Sequence, residues 1–251
     1  MTLSPILLTA IGVGGSTLLG SLLGYFFKNV SHRTNDTIIG FCAGVMLSAS
    51  ILGLLVPSFE DISSTWLWVP IIGVFAGAAL LNLLDLVTPH LHSLTGLDQE
   101  THQNNAHLNR VLLFVLAIAI HKLPEGIAAG VGFGGENINN AINVAFAISL
   151  QNIPEAMVII SPLLLAGISK IRTLCIALGI GLLEVIGVFM GYYMGGISAG
   201  LLPLMLAFSG GAMLYVVSDE MIPESHSHGH QKIATYALLA GFLLMLLMDR
   251  I

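Results

Sequence analysis

Polar residues punctuate this chain at fairly regular intervals, and between them run eight stretches in which almost every position is apolar. They extend from Pro5 to Phe27, Ile38 to Pro57, Leu67 to Pro89, Val111 to Phe133, Ala141 to Gly167, Thr173 to Gly195, Leu201 to Asp219 and Ile233 to Met248. A helix needs about 20 mostly apolar residues to cross a hydrocarbon core of roughly 30 Å. The pattern therefore predicts an all-α integral membrane protein, a single polytopic domain over residues 1–251 with eight transmembrane helices. The one long polar connection, residues 90–110, lacks apolar periodicity and is predicted to be a flexible loop. Glycines recur inside the spans, five of them in the first (Gly12, Gly14, Gly15, Gly20 and Gly24), as close packing of membrane helices requires.

Composition sharpens this picture. Of 251 residues, 55% are hydrophobic and 9% charged, against about a quarter charged in soluble domains, so the surface partner is membrane lipid. A net charge of -6 without a basic patch excludes nucleic acid. Cys42 and Cys175 both sit in apolar runs and offer neither a disulfide framework nor a CxxC zinc site. No basic, cleavable leader precedes the first span, whose first positive charge is Lys28, so that span is expected to be retained. With the N-terminus outside, Lys28, Arg33, Arg110, Lys170, Arg172 and Lys232 all fall on the cytoplasmic side and Arg250 outside. The positive-inside rule thus predicts both termini outside the cell (inner or plasma) membrane.

Against that apolar background, a few polar residues stand about ten to sixteen positions into their spans, roughly mid-bilayer at 1.5 Å per residue. They are His121, Lys122 and Glu125 in the fourth span, Gln151, Asn152 and Glu155 in the fifth, and Glu184 in the sixth. An ionised side chain there costs on the order of 2.5–3.5 kcal/mol even on lenient scales, so these groups are expected to face one another or a cavity. His121 and Glu125 are four apart, as are Gln151 and Glu155, which stacks each pair on one helix face. Pro124 and Pro154 interrupt the pairs and deprive the carbonyls of Ile120 and Leu150 of their usual donors, so helices four and five are predicted to be broken by proline at the site. HKLPEG (121–126) and QNIPEA (151–156) also resemble each other, a weak internal repeat. Imidazole with carboxylate and amide oxygens, and no thiolate, suits a divalent cation of the zinc, manganese or ferrous type. With histidine neutral, three carboxylates and one ammonium leave a charge of minus two, which one divalent ion neutralises. Buried ion pairing that merely joins helices is the plainer alternative.

HKLPEG and QNIPEA, with SDEMIPESHSHGH (218–230) and DLVTPHLH (85–92), resemble the ZIP (Zrt-, Irt-like protein) family of divalent metal transporters, and most closely its GufA-type, largely prokaryotic branch. The resemblance implies transport towards the cytoplasm of Zn2+, with Fe2+, Mn2+ and Cd2+ as further substrates, by a homodimer without a resident cofactor. It implies a transport site of His121, Glu125, Gln151, Asn152 and Glu155, a sixth-span carboxylate, Glu184, at a second metal position, and Met46 as a thioether ligand, for which core packing is the competing reading. Relatives commonly have Asn where this chain has Lys122; an ammonium there, paired with Glu184, makes a mononuclear site. The resemblance also implies movement of spans one, four, five and six against two, three, seven and eight.

Asp85, His90 and His92 end the third span and Asp219, Glu220 and Glu224 the seventh, on one membrane face. The resemblance makes them an exit path; solvated helix ends are the alternative. His226, His228 and His230, with His102 and His107 in the long loop, are candidate weak metal sensors. An intramembrane metalloenzyme, a protease or a di-iron oxidase or hydroxylase, is the rival class. It is disfavoured because no HExxH is present and one HSHGH box is too few histidines.

Overall fold

A computed structural model describes residues 3–26, 31–60, 62–94, 119, 122–135, 137–165, 168–197 and 201–248. Among the described residues there is no β-strand. The helices are α1 (Leu3–Phe26), α2 (His32–Ser48), α3 (Val56–Glu60), α4 (Trp68–Leu94), α5 (residues 122–131), α6 (Ile138–Leu165), α7 (Lys170–Ile197), α8 (Leu202–Val216), α9 (Ile222–Ser225) and α10 (Gln231–Met248). Two π-helical stretches, Ala49–Leu55 and Val217–Met221, join α2 to α3 and α8 to α9. Among the described residues, six segments are long and apolar enough to cross a membrane: Pro5–Phe26, His32–Glu60, Ser64–Leu83, Lys170–Ile197, Leu202–Ser225 and Gln231–Met248. At 28 residues, α6 is also about 42 Å long by helical rise.

Local chemistry explains where these helices begin. The Ser31 hydroxyl accepts from the Thr34 amide at 3.2 Å, an N-cap that starts α2 at His32, six residues before the apolar run. Ser169 does the same for α7, its hydroxyl accepting from the Arg172 amide at 3.4 Å. Ahead of α10, the chain turns through Gly229 at φ +86°, a conformation open to glycine, and the His230 carbonyl accepts from the amides of Ile233 and Ala234 at 3.1 Å. Two expectations about prolines are corrected. Helix α4 continues past Pro89 through His90 and His92 to Leu94, so the first residues of the expected loop are helical; the remainder of 90–110 lies outside the described residues. Helix α6 runs unbroken through Pro154. A proline removes one backbone bond, which membrane helices tolerate where neighbours supply other partners.

The helices pack in two sets. Helix α1 lies against α6 and α7; α2 lies against α10, and α4 against α8. Helix α5 joins the first set through a glycine ladder: a Cβ on Gly126 would strike the Glu184 carbonyl and come within 2.9 Å of the Gly187 Cα. Gly130 meets the Val188 carbonyl, and Gly191 that of Ile127, in the same way. Backbones at such separation gain dispersion contacts that larger residues would block. The sets meet chiefly where α2 and the first π stretch touch α6. There the Gly53 carbonyl accepts from the Asn140 side chain at 2.9 Å. The apolar core spans both sets and includes Val13, Met46, Ile148, Val188 and Met213.

Candidate metal centre

The centre forms where α5, α6, α7 and α1 meet. Lys122 and Glu125 stand three residues apart on α5, Gln151, Asn152 and Glu155 share a face of α6, and the glycine ladder brings α7 close enough to present Glu184. Lys122, Gln151, Asn152 and Glu184 are 0% exposed and Glu125 is 1% exposed. The Glu155 side chain keeps 19% of its surface open. Hydrogen bonds and ion pairs join five of these residues, Lys122, Glu125, Asn152, Glu155 and Glu184, while Gln151 lies one helical turn before Glu155 on α6. His121 lies outside the described residues.

Lys122 is the hub. Its ammonium donates to Glu125 Oε2 at 2.6 Å, Asn152 Oδ1 at 2.6 Å and Glu155 Oε2 at 2.7 Å, using all three N–H bonds, while Glu184 Oε1 stands 3.8 Å away. Asn152 in turn donates through Nδ2 to Glu184 Oε1 at 2.7 Å. The other oxygen of Glu184 accepts from Thr17 Oγ1, on α1, at 2.8 Å. Both Glu184 oxygens are thus engaged, which separates this carboxylate from the others.

The unpaired atoms are as informative. Glu125 Oε1 and both the Oε1 and Nε2 atoms of Gln151 are buried without a protein partner. An unsatisfied buried polar group costs about 1–3 kcal/mol, more if charged. Such atoms are tolerated where something else binds them. Glu125 holds one oxygen to the ammonium and leaves the other open, and the open carboxamide of Gln151 stands on α6 one helical turn before Glu155; carboxylate and amide oxygens are ligand types that divalent metals accept.

The remaining candidates are distributed as follows. Met46 is fully buried in the apolar core on α2, the helix that packs on α6. Nearby, the Cys42 thiol donates to the Gln151 carbonyl at 3.8 Å. Asp85, His90 and His92 lie along the last turns of α4. Asp219 and Glu220 fall within the second π stretch, and Glu224 is exposed on α9. The loop histidines differ. His226 is engaged at both ring nitrogens, with the Ile222 carbonyl at 2.8 Å and Thr235 Oγ1 at 3.1 Å. His228 Nδ1 pairs with Asp36 Oδ1 at 3.0 Å, and its ring stacks on that of His32 with centroids 4.4 Å apart. His230 is half-buried. His102 and His107 lie outside the described residues.

Three participants escaped the sequence reading. Thr17 looks like one more small residue in a glycine-rich span; only the approach of α7 gives it Glu184 as an acceptor. Asp36 sits in a polar stretch that reads as a solvated helix end, yet it is 0% exposed and its Oδ2 has no partner. The π stretches carry no marker in composition, although such bulges favour functional sites.

Comparison with known proteins gives the family of the chain. The family described as ZIP Zinc transporter matches residues 90–249. Zinc transporter ZIPB of Bordetella bronchiseptica is 38% identical over 251 aligned positions, covering 93% of this chain and 77% of that protein. Zinc transporter GufA of Myxococcus xanthus is 37% identical over 250, covering 97% of both chains. Zinc transporter ZupT of Corynebacterium glutamicum is 33% identical, covering 92% and 93%.

Proposed function

The chain belongs to the ZIP zinc transporter family, and from that premise we propose that it carries zinc through the membrane towards the cytoplasm by way of the centre between α5 and α6. Membership also makes it an integral membrane protein and a transporter rather than an enzyme, which sets aside the metalloenzyme reading. The observation that carries the proposal is the buried and unpartnered Glu125 Oε1, on one of three carboxylates gathered round Lys122, together with the buried and unpartnered Gln151 carboxamide one helical turn before Glu155 on α6. Zinc takes these atoms together with Glu155 and His121, with Met46 as a further thioether donor. Iron(II), manganese(II) and cadmium(II) accept the same ligands and are expected to compete.

Lys122 makes the site mononuclear. Its ammonium is fully engaged between Glu125, Asn152 and Glu155 and faces Glu184 at 3.8 Å, as a second cation would be. Glu184, with both oxygens taken by Asn152 and Thr17, then acts as its counter-charge. The wider reading has eight spans, the fourth containing α5 and the fifth α6, with both termini outside the plasma membrane, and two chains forming a homodimer. It also has Asp85, His90, His92, Asp219, Glu220 and Glu224 as the inner exit, with His228 and His230 as loop metal contacts. The two packing sets, α1 with α5, α6 and α7 and the remainder, support movement of one against the other.

Zinc entry into proteoliposomes loaded with a zinc-sensitive dye tests the function. Wild type is expected to pass zinc, and His121→Ala and Glu155→Ala to abolish entry. Folded wild-type protein that passes none of the four metals refutes the proposal.

A further inference from the structure

We infer that Lys122 is a tethered competitor of the cargo, a resident cation that weakens metal binding so that the ion is released quickly; the inference rests on the transport site proposed above. Three observations lead to it. The ammonium holds one oxygen from each of Glu125 and Glu155, carboxylates borne on two different helices, at 2.6 and 2.7 Å. The second oxygen of Glu125 is buried and unpartnered. And the ammonium has no spare donor with which to leave for a better place, since its third N–H is held by Asn152 at 2.6 Å.

The chemistry follows from sharing. A metal arriving at Glu125 Oε1 binds a carboxylate whose other oxygen already neutralises a cation. That carboxylate is a weaker donor than a free one, because the ammonium withdraws charge from it through a charge-assisted hydrogen bond. The two cations also repel at short range in a medium that screens poorly. Both effects raise the free energy of the loaded site and leave the empty one assembled, with α5 and α6 joined by the lysine alone. A transporter gains from this. Three carboxylates without a resident cation would bind a divalent ion tightly and release it slowly, since differences in affinity fall mostly on the off-rate. Thr17 and Asn152 are positioning residues here, because they hold Glu184 beside the ammonium.

The test compares zinc binding and transport by the purified full chain and its Lys122→Gln and Lys122→Arg variants. Binding is measured by equilibrium dialysis with radioactive zinc, and flux in proteoliposomes across a range of zinc concentrations. Lys122→Gln is expected to bind zinc at least tenfold more tightly and to take up a second ion. Its KM and its maximal rate should both fall, a combination that a loss of structure does not produce. Lys122→Arg keeps the charge and is expected to bind one zinc within about threefold of wild type. Unchanged or weaker binding by a folded Lys122→Gln protein overturns the inference while leaving the transport reading intact. Should that variant fail to fold, Lys122→Met, which keeps the length without the charge, carries the same expectations. Wild type that binds no zinc at all refutes the transport reading itself.

Discussion

Two buried carboxylates in this molecule make a useful pair. Glu125 on α5 and Asp36 at the start of α2 each hold one oxygen to a nitrogen base, at 2.6 and 3.0 Å, and each leave the other oxygen buried without a partner. They differ in the base. Lys122 is itself fully buried and spends all its donors inside the cluster, whereas His228 keeps 32% of its side chain open on a loop between α9 and α10. The His228 side chain is open to water on one side, whereas the Lys122 ammonium is enclosed by its partners. Similar local pairings thus have different meanings: one is a permanent part of a closed polar centre, the other a detachable contact at a helix end.

The sharpest way to break this contrast is to remove the carboxylate that Lys122 holds on α5. Glu125→Ala strands a buried ammonium short of a partner and is expected to destabilise the fold by about 3–5 kcal/mol, read as unfolding in detergent, besides abolishing zinc flux. Next comes the scaffold that holds the centre together. A Cβ at Gly191 would strike the Ile127 carbonyl and come within 2.9 Å of the Val131 nitrogen, so Gly191→Val should cost about 3 kcal/mol through overpacking. It is expected to lower flux and thermal stability together. A finer probe is Thr17→Val, which keeps shape and deletes the donor to Glu184. A hydrogen bond to a charged acceptor contributes about 1.5 kcal/mol or more, and the loss should appear in KM and maximal rate with helix content unchanged by circular dichroism. Least is expected at the other carboxylate: His228→Ala, at a partly exposed pair, should change stability by at most about 1 kcal/mol and flux by less than twofold. An effect there as large as that of Glu125→Ala would show that the two carboxylates play equivalent parts after all.

How much of this was legible in advance depended on whether neighbours along the chain carried the signal. The paired positions of His121 with Glu125 and Gln151 with Glu155 follow from helical spacing, and the expense of charge in hydrocarbon made their convergence, together with Lys122 and Glu184, a requirement. Among the described residues, contacts join Lys122, Glu125, Glu155 and Glu184, with Asn152 between them, whereas the Gln151 side chain has no partner. Thr17 was illegible because its hydroxyl matters only through a residue 167 positions away. Asp36 was misleading, since a polar stretch at a helix start normally meets water and this one is covered by the α9–α10 turn. The prolines misled in the other direction: Pro154 predicts a break from backbone hydrogen bonding alone, whereas α6 passes through it.

The alternation of apolar runs and polar stops determined by itself that this is an all-helical membrane protein, and the cost of charge in hydrocarbon required that its few mid-span polar residues face one another or a cavity. Both follow from transfer free energies and helical periodicity, which act residue by residue. Only the tertiary structure decided which oxygen of each carboxylate is spent and which is open. Those assignments depend on how closely α5 and α7 approach through Gly126, Gly130, Gly187 and Gly191 and on the place where the Lys122 ammonium comes to rest. Hydrogen bonds are directional and short-ranged, so their pairing follows from the packed helices and from nothing nearer along the chain.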